Sequence, residues 1–260
     1  MRTIFATAAI LIGSCLLSPI AFADGNCGEM TTVQFMRDDV STLKKHMQDI
    51  VTAMPMPDAP YGRENENWQL PSYACQDDMG IRPVDISYTS RYSVEATLQQ
   101  KNAAFQKQIM EAQAKGDYEA MTNINQQVAQ QAMQQAALSQ ANAPVDISVA
   151  ANTSDSGTID PDAVVSDGQG FLAIRTSTDS TSNTENVSVY FDPVALKDAH
   201  QLASFDMGGD YRVHSKLDLY SLRIDLEGPA KVVDKMVRGI DSSKVLSGLT
   251  TSRTNVESTD

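Results

Sequence analysis

Three histidines are the residues in this sequence best suited to acid–base catalysis, because imidazole titrates close to neutral pH. His46 falls on the polar face of a predicted helix, and His200 follows a short helix near its C-terminus. His214 alternates with Arg212 and Lys216 along a run that predicts a solvated strand face. No recognisable nucleophile motif surrounds any of the three. The histidines therefore indicate no catalytic site.

Acidic residues cluster at Asp155, Asp160, Asp162 and Asp167. A calcium loop needs oxygen ligands at a fixed spacing and a closing bidentate carboxylate, and this spacing does not match. The Asp-Pro and Asp-Gly steps in the cluster are typical of turns. Phosphate-loop, dinucleotide and metalloprotease motifs are also absent from the sequence. We therefore predict no metal and no cofactor. The alternative to a non-enzymatic protein is a hydrolase-type enzyme whose acidic residues converge only in the fold.

Residues 1–23 are typical of a cleavable signal peptide. Arg2 precedes an apolar run, and small residues at Ala21 and Ala23 flank Phe22. The run is too short for a membrane-spanning helix, which needs about 20 apolar residues. We predict cleavage before Asp24 and export, with the bacterial periplasm as the destination. A lipid anchor at Cys15, or an extracellular location, is the alternative.

The cysteines that remain after such cleavage are Cys27 and Cys75. An even pair in an oxidising compartment predicts a disulfide between them. Closing a loop of about 48 residues stabilises a fold by roughly 4 kcal/mol in the chain-entropy model. No Cys-x-x-Cys spacing suggests a redox site or a zinc cluster.

The chain is strongly acidic, with a net charge of −13 at pH 7. The whole chain has 20 basic and 33 acidic residues. The signal peptide takes away one basic residue, Arg2, and no acidic one, so the mature chain has a net charge of −14. A field of this sign repels phosphate backbones and anionic lipid surfaces. The sequence therefore argues against nucleic acid as a partner and leaves a protein or an apolar ligand; the oligomeric state is open.

The first predicted element is an amphipathic helix that begins after Thr31 and is ended by Pro55. Thr31 and Gln34 match a capping box, with Met30 and Phe35 placed for a hydrophobic staple. Its apolar residues recur at spacings of three and four, which predicts a buried face: Val33, Met36, Val40, Leu43, Met47, Ile50 and Met54. A coiled-coil seam between chains is the alternative.

Residues 55–80 are rich in Pro, Asn and Asp, which predicts mostly irregular structure. They carry the single tryptophan, Trp68, together with Tyr61 and Tyr73. Aromatic side chains in such a loop are either packed on the core or exposed for binding. We favour packing, since aromatic burial is strongly stabilising and a disulfide at Cys75 would anchor the loop.

A short sequence, Pro-Val-Asp-Ile-Ser, begins at Pro83 and again at Pro144, and both copies alternate as half-buried strands do. The copies flank residues 93–139, whose composition is strongly helical. Gly116 and Asp117 predict a turn there, giving a helical hairpin, with one unbroken helix as the alternative. Its two apolar stripes are predicted to be core rather than an interface: Val94, Leu98, Phe105, Ile109 and Ala112, then Tyr118, Met121, Ile124, Val128 and Ala132.

The remaining chain is mainly strand. Alternating runs occur at 171–177, 187–191 and 211–226, a short helix is predicted at 194–202, and Gly228-Pro229 opens a helix that ends at Gly239. We predict an α+β domain, residues 24–249, followed by a disordered tail, 250–260. The domain comprises a helix and tethered loop (24–80), a strand–hairpin–strand unit (81–150), and strands with a final helix (170–249). An antiparallel meander of about four to five strands packs against the N-terminal helix, the helical hairpin and the C-terminal helix.

Methionines on the predicted helices are the only functional hint, because Met adapts to variable apolar partners: Met36, Met47, Met54, Met110, Met121 and Met133. They more often fill gaps in a core. The leading hypothesis is a non-enzymatic binding or envelope accessory protein that uses the helical hairpin, or a groove between it and the sheet. Its candidate binding residues are Trp68, Tyr61, Tyr73, Phe105 and Met121.

Overall fold

The structure is a computed structural model that describes residues 27–180, 182–207 and 211–255. The predicted signal peptide, the alternative anchor at Cys15 and the predicted first mature residue, Asp24, lie outside the described residues. The helices are α1 (Arg37–Val51), α2 (Val94–Lys115), α3 (Tyr118–Ala141), α4 (Ala230–Gly239) and α5 (Ser242–Ser247). The strands are β1 (Thr31–Gln34), β2 (Gly62–Gln69), β3 (Tyr73–Asp77), β4 (Gly80–Ile81), β5 (Ile86–Ser93), β6 (Val145–Ala151), β7 (Ser156–Thr158), β8 (Val164–Gly168), β9 (Phe171–Asp179), β10 (Thr184–Phe191), β11 (Ser204–Asp206), β12 (Tyr211–Val213), β13 (Leu222–Pro229) and β14 (Arg253–Asn255).

Three sheets organise the described residues. The largest has seven strands in the order β2-β5-β6-β13-β10-β9-β8, and the second has five in the order β1-β3-β4-β12-β14. β7 and β11 form the third. The strand pairs are antiparallel, so the predicted α+β class is confirmed. The predicted meander of four to five strands does not form, because β13 lies between β6 and β10 rather than beside its sequence neighbours.

The main core lies on one face of the seven-stranded sheet, and three helices cover it. Leu43 and Met47 of α1, Val233 and Met236 of α4, and Val245 of α5 are buried there. Alternate residues of the central strands point into the same layer, as the two-residue repeat of a strand requires. A smaller cluster at the β9–β10 end covers part of the opposite face: Ile159, Leu172, Tyr190, Leu196, Ala199, Phe205 and Met207.

The start of the first helix differs from the prediction. Residues 31–34 form β1 instead of a helical first turn, and Thr32 pairs with Cys75 of β3. The helix begins at Arg37, where the Asp39 carboxylate accepts a hydrogen bond from the Met36 backbone N–H at 2.8 Å. Strand pairing beside the Cys27–Cys75 disulfide thus overrides the local capping signal.

The predicted disulfide is present, with 48 residues of sequence separation. The predicted irregular stretch 55–80, however, contains β2, β3 and β4. β2 is polar and lies at the edge of the sheet, but β5 pairs with the backbone groups that face it and places Trp68 opposite Tyr88. Composition alone could not predict this strand, because its stability comes from a partner later in the chain.

The predicted strand 211–226 is split between two sheets, with β12 in the second sheet and β13 in the first. Arg212 is not on a solvated face: its side chain is buried and its Nε donates to Asp77 Oδ2 at 2.7 Å. The predicted helix at 194–202 is reduced to a single 3₁₀ turn at Ala199–Gln201. Residues 253–255, assigned by composition to a tail, form β14 beside β12.

Candidate functional site

Helices α2 and α3 form a helical arm, defined here as residues 94–141, that is inserted between two adjacent strands. β5 runs directly into α2, and the Ser93 hydroxyl caps α2 by accepting a hydrogen bond from the Ala96 N–H. Gly116, at φ +68°, ends α2, and Asp117 caps α3 through the Ala120 N–H. β6 follows α3 and returns beside β5, with Val145 opposite Tyr92. The predicted copies of Pro-Val-Asp-Ile-Ser are therefore neighbours in one sheet.

The arm touches the rest of the fold mainly at its base. Val94 and Ala96 are buried there, where α2 meets β2 and β5. Farther out, the two helices pack on each other. Neither core cluster includes a described side chain of α2 or α3.

A narrow apolar seam joins the two helices. Since the helices run antiparallel from the turn at Gly116 and Asp117, we pair residues that are equally distant from the midpoint of this turn: Phe105, Ile109 and Ala112 of α2 with Val128, Ile124 and Met121 of α3. Ala112 is buried and the other five are only half-buried. The prediction that this stripe is core is therefore wrong, because α4 and α5 already share the apolar sheet face with α1. The side chains of Leu98, Ala132 and Met133 lie outside the described part of the arm.

Two large apolar side chains of the arm are exposed. Met110 is 63% accessible and Tyr118 is 78% accessible. Tyr118 was expected on the inward stripe, but the seam of α3 begins one turn later, at Met121. Met121 and Ala112 are equally distant from the midpoint between Gly116 and Asp117, and this pairing is the signal in the sequence that would have placed Tyr118 outside the seam.

The face of the seven-stranded sheet opposite the main core is polar where the smaller cluster does not cover it. Strand register aligns its side chains into rows across β2, β5, β6, β13 and β10. One row consists of Asn67, Thr89, Ser148, Asp225 and Ser188, and the next of Asn65, Arg91, Asp146, Glu227 and Asn186. These rows line a depression of about 330 Å³ near the base of the arm.

Arginine–carboxylate pairs organise this polar face. Asp225 accepts hydrogen bonds from the Ser188 hydroxyl at 2.5 Å and from Arg223 Nε at 2.9 Å. Burial alone would lower the pKa of Arg223, but its hydrogen bond to Asp225 and the nearby carboxylates hold that pKa above its ordinary value. Arg91 lies 3.5 Å from Asp146 in a pair that is open to water. Such an exposed pair contributes little stability.

The aromatic residues expected to bind lie apart from this depression. Trp68 packs on the main core, its ring 4.5 Å from that of Tyr88 and 5.2 Å from the Lys44 ammonium. Tyr61 also packs on the core, and its hydroxyl donates to the Ala143 carbonyl at 3.2 Å. Burial raises the pKa of Tyr61. Tyr73 lies on β3, at the side of a separate surface cavity of about 370 Å³.

The groups suited to catalysis are dispersed. His46, His200 and His214 are all exposed. Within residues 27–180, 182–207 and 211–255, no three His, Cys, Asp or Glu side chains are grouped closely enough to hold a metal ion. The carboxylates of the polar face lie on an open surface. Their arrangement suits hydrogen bonding to a polar or cationic group.

No helix of the described chain has both the length and the apolar character needed to cross a membrane.

Among the described residues, the arm and the polar face are the two features that the core does not explain. No family model matches this chain, and no curated protein or solved structure matches it either.

Proposed function

We propose that this protein is an exported, periplasmic, non-enzymatic binding protein whose helical arm attaches it to another protein. The observation that carries the proposal is the position of the arm. Adjacent antiparallel strands need only a two-residue turn to connect them. Here the connection between β5 and β6 contains helices of 22 and 24 residues.

The energetics of the arm favour an external role. Ordering each residue costs about 1–2 kcal/mol of backbone entropy. A pair of helices buries only one narrow seam, and this seam adds no described side chain to either core cluster. Contact with another protein explains such a segment better than the stability of the fold does.

Two other features support the proposal. The Cys27–Cys75 disulfide suits an oxidising compartment outside the cytosol. Asp146 and Glu227 of the polar face are accessible to water, whereas acid–base catalysis generally uses groups held in a sheltered cleft.

Photo-crosslinking in the producing cells tests the proposal. A photoreactive residue replaces Tyr118 on the arm or, as the control, Val194, an exposed apolar residue on the body that is 46% accessible. We expect discrete crosslinked products from position 118 and none from position 194. Deleting 103–109 and 124–130 shortens both helices by one matched heptad and should remove the products. Equal crosslinking from both positions, or none from position 118, would contradict the proposal.

A further inference from the structure

Between residues 99 and 129, one broad side of the arm carries no charge. With the seam at Phe105, Ile109 and Ala112 as reference, the helical repeat of about 100° per residue places eight exposed side chains on this side. They form the neutral face: Gln99, Gln106, Met110 and Gln113 of α2, and Tyr118, Thr122, Asn125 and Ala129 of α3. Both large exposed apolar side chains of the arm lie on it.

The charged residues between 99 and 129 lie elsewhere. Lys101, Glu111 and Lys115 fall on the opposite side of α2, while Lys107 and Glu119 point outward at the edges and Asp117 caps the turn. These six charges cancel, and Glu95 at the base of α2 leaves the arm with a net charge of −1, whereas the whole chain carries −13. The arm is thus a nearly neutral extension of an acidic body.

We propose that the neutral face binds the neutral face of a second copy of this chain, so that two arms form a four-helix dimer. This inference rests on the proposed function and names the partner. Two copies repel one another over most of their acidic surface, and the neutral face lets them meet without that repulsion. Side-chain amides both donate and accept hydrogen bonds, so a surface rich in Gln and Asn complements itself across a twofold axis.

The size of the face fits a weak, reversible dimer. On α2 the neutral face runs from Gln99 to Gln113, which is about 22 Å at about 1.5 Å per residue. Two helices with axes about 10 Å apart give a face about 20 Å wide. The pair would bury about 900 Å² in total, a size typical of weak and transient interfaces, which lie below about 1,200 Å². Antiparallel arms also keep the acidic bodies farther apart than the screening length of about 8 Å.

Sedimentation equilibrium over a concentration series tests the dimer with matched charge variants. Met110→Glu with Tyr118→Glu places two carboxylates on the neutral face. Gln108→Glu with Gln127→Glu places the same two charges on the opposite, equally exposed side. We expect a dimer for the unmodified protein, at least about tenfold weaker association for the first variant, and little change for the second, because like charges oppose contact only at the interface.

Several outcomes would overturn the inference. They are a monomer at every concentration, equal weakening in both variants, or a dimer that the neutral-face variant leaves intact. Circular dichroism of each variant checks that the helices are retained. A monomer whose position 118 still crosslinks to a different protein would overturn the dimer and leave the proposed function standing. Loss of every crosslink from that position would contradict both.

Discussion

Replacing Arg253 with methionine is expected to lower the free energy of unfolding by about 3–5 kcal/mol, because it leaves a buried carboxylate without its counter-charge. Asp192 is fully buried, and the Arg253 side chain is only 4% accessible. Arg253 Nη1 donates to Asp192 Oδ2 at 2.9 Å, and Nη2 donates to Oδ1 at 3.1 Å. The guanidinium also lies 4.2 Å from the Tyr211 ring.

Urea unfolding at neutral pH measures this effect, and Arg238→Met is the matched control. Arg238 is 77% exposed and lies 4.0 Å from Asp234, so its loss should change stability by less than about 0.5 kcal/mol. Asp192→Asn combined with Arg253→Met should recover part of the loss. The neutral amide oxygen can still accept the N–H groups of Val194 and Ala195, which now bond to Asp192 Oδ1 at 2.8 Å. Equal losses at Arg253 and Arg238 would contradict the buried pair.

Phe191→Ala should destabilise the body by about 3–5 kcal/mol, whereas Phe105→Ala should change the stability of the body by less than about 1 kcal/mol. Phe191 is fully buried in the main core, and its ring stacks on that of Phe171 with centroids 5.8 Å apart. Phe105 lies half-buried in the seam of the arm. The chemical change is the same, so the difference reports the packing around each ring.

Two optical probes separate the body from the arm. Trp68 is the only tryptophan and lies in the body, so its fluorescence follows the unfolding of the sheet. Far-ultraviolet circular dichroism is dominated by the helices and follows the arm as well. We expect Phe105→Ala to shift the unfolding transition seen by circular dichroism and to leave the transition seen by fluorescence unchanged. If Phe105→Ala lowered the unfolding transition seen by fluorescence as much as Phe191→Ala does, the arm would belong to the core.

Local signals predicted many elements correctly. The alternation after Pro83 and Pro144 predicted β5 and β6, and Gly116 and Asp117 predicted the end of α2 and the start of α3. Propensity and caps act over a few residues, so they can be read from one short segment. The strand order could not be predicted from any one segment, because β13 pairs with strands that are distant in sequence.

Buried charges were the least predictable feature. Arg212 and Arg253 stand in polar segments that look solvated, and their carboxylate partners are 135 and 61 residues away. The polar face was missed for the same reason: its rows exist only once the register of five strands is known. The arm itself was predictable as two helices, but its position relative to the core depended on how many other helices covered the sheet.

Hydrogen exchange of backbone amides, measured at low and high protein concentration, tests most directly whether the arm is a binding element outside the core. Amides of the core strands should exchange only on global unfolding, and those of an independent arm through smaller openings. At low concentration we expect residues 99–130 to exchange much faster than β10 and β13, and at high concentration to become protected while the strands are unchanged. Protection of the arm equal to that of β13 at both concentrations would contradict this assignment.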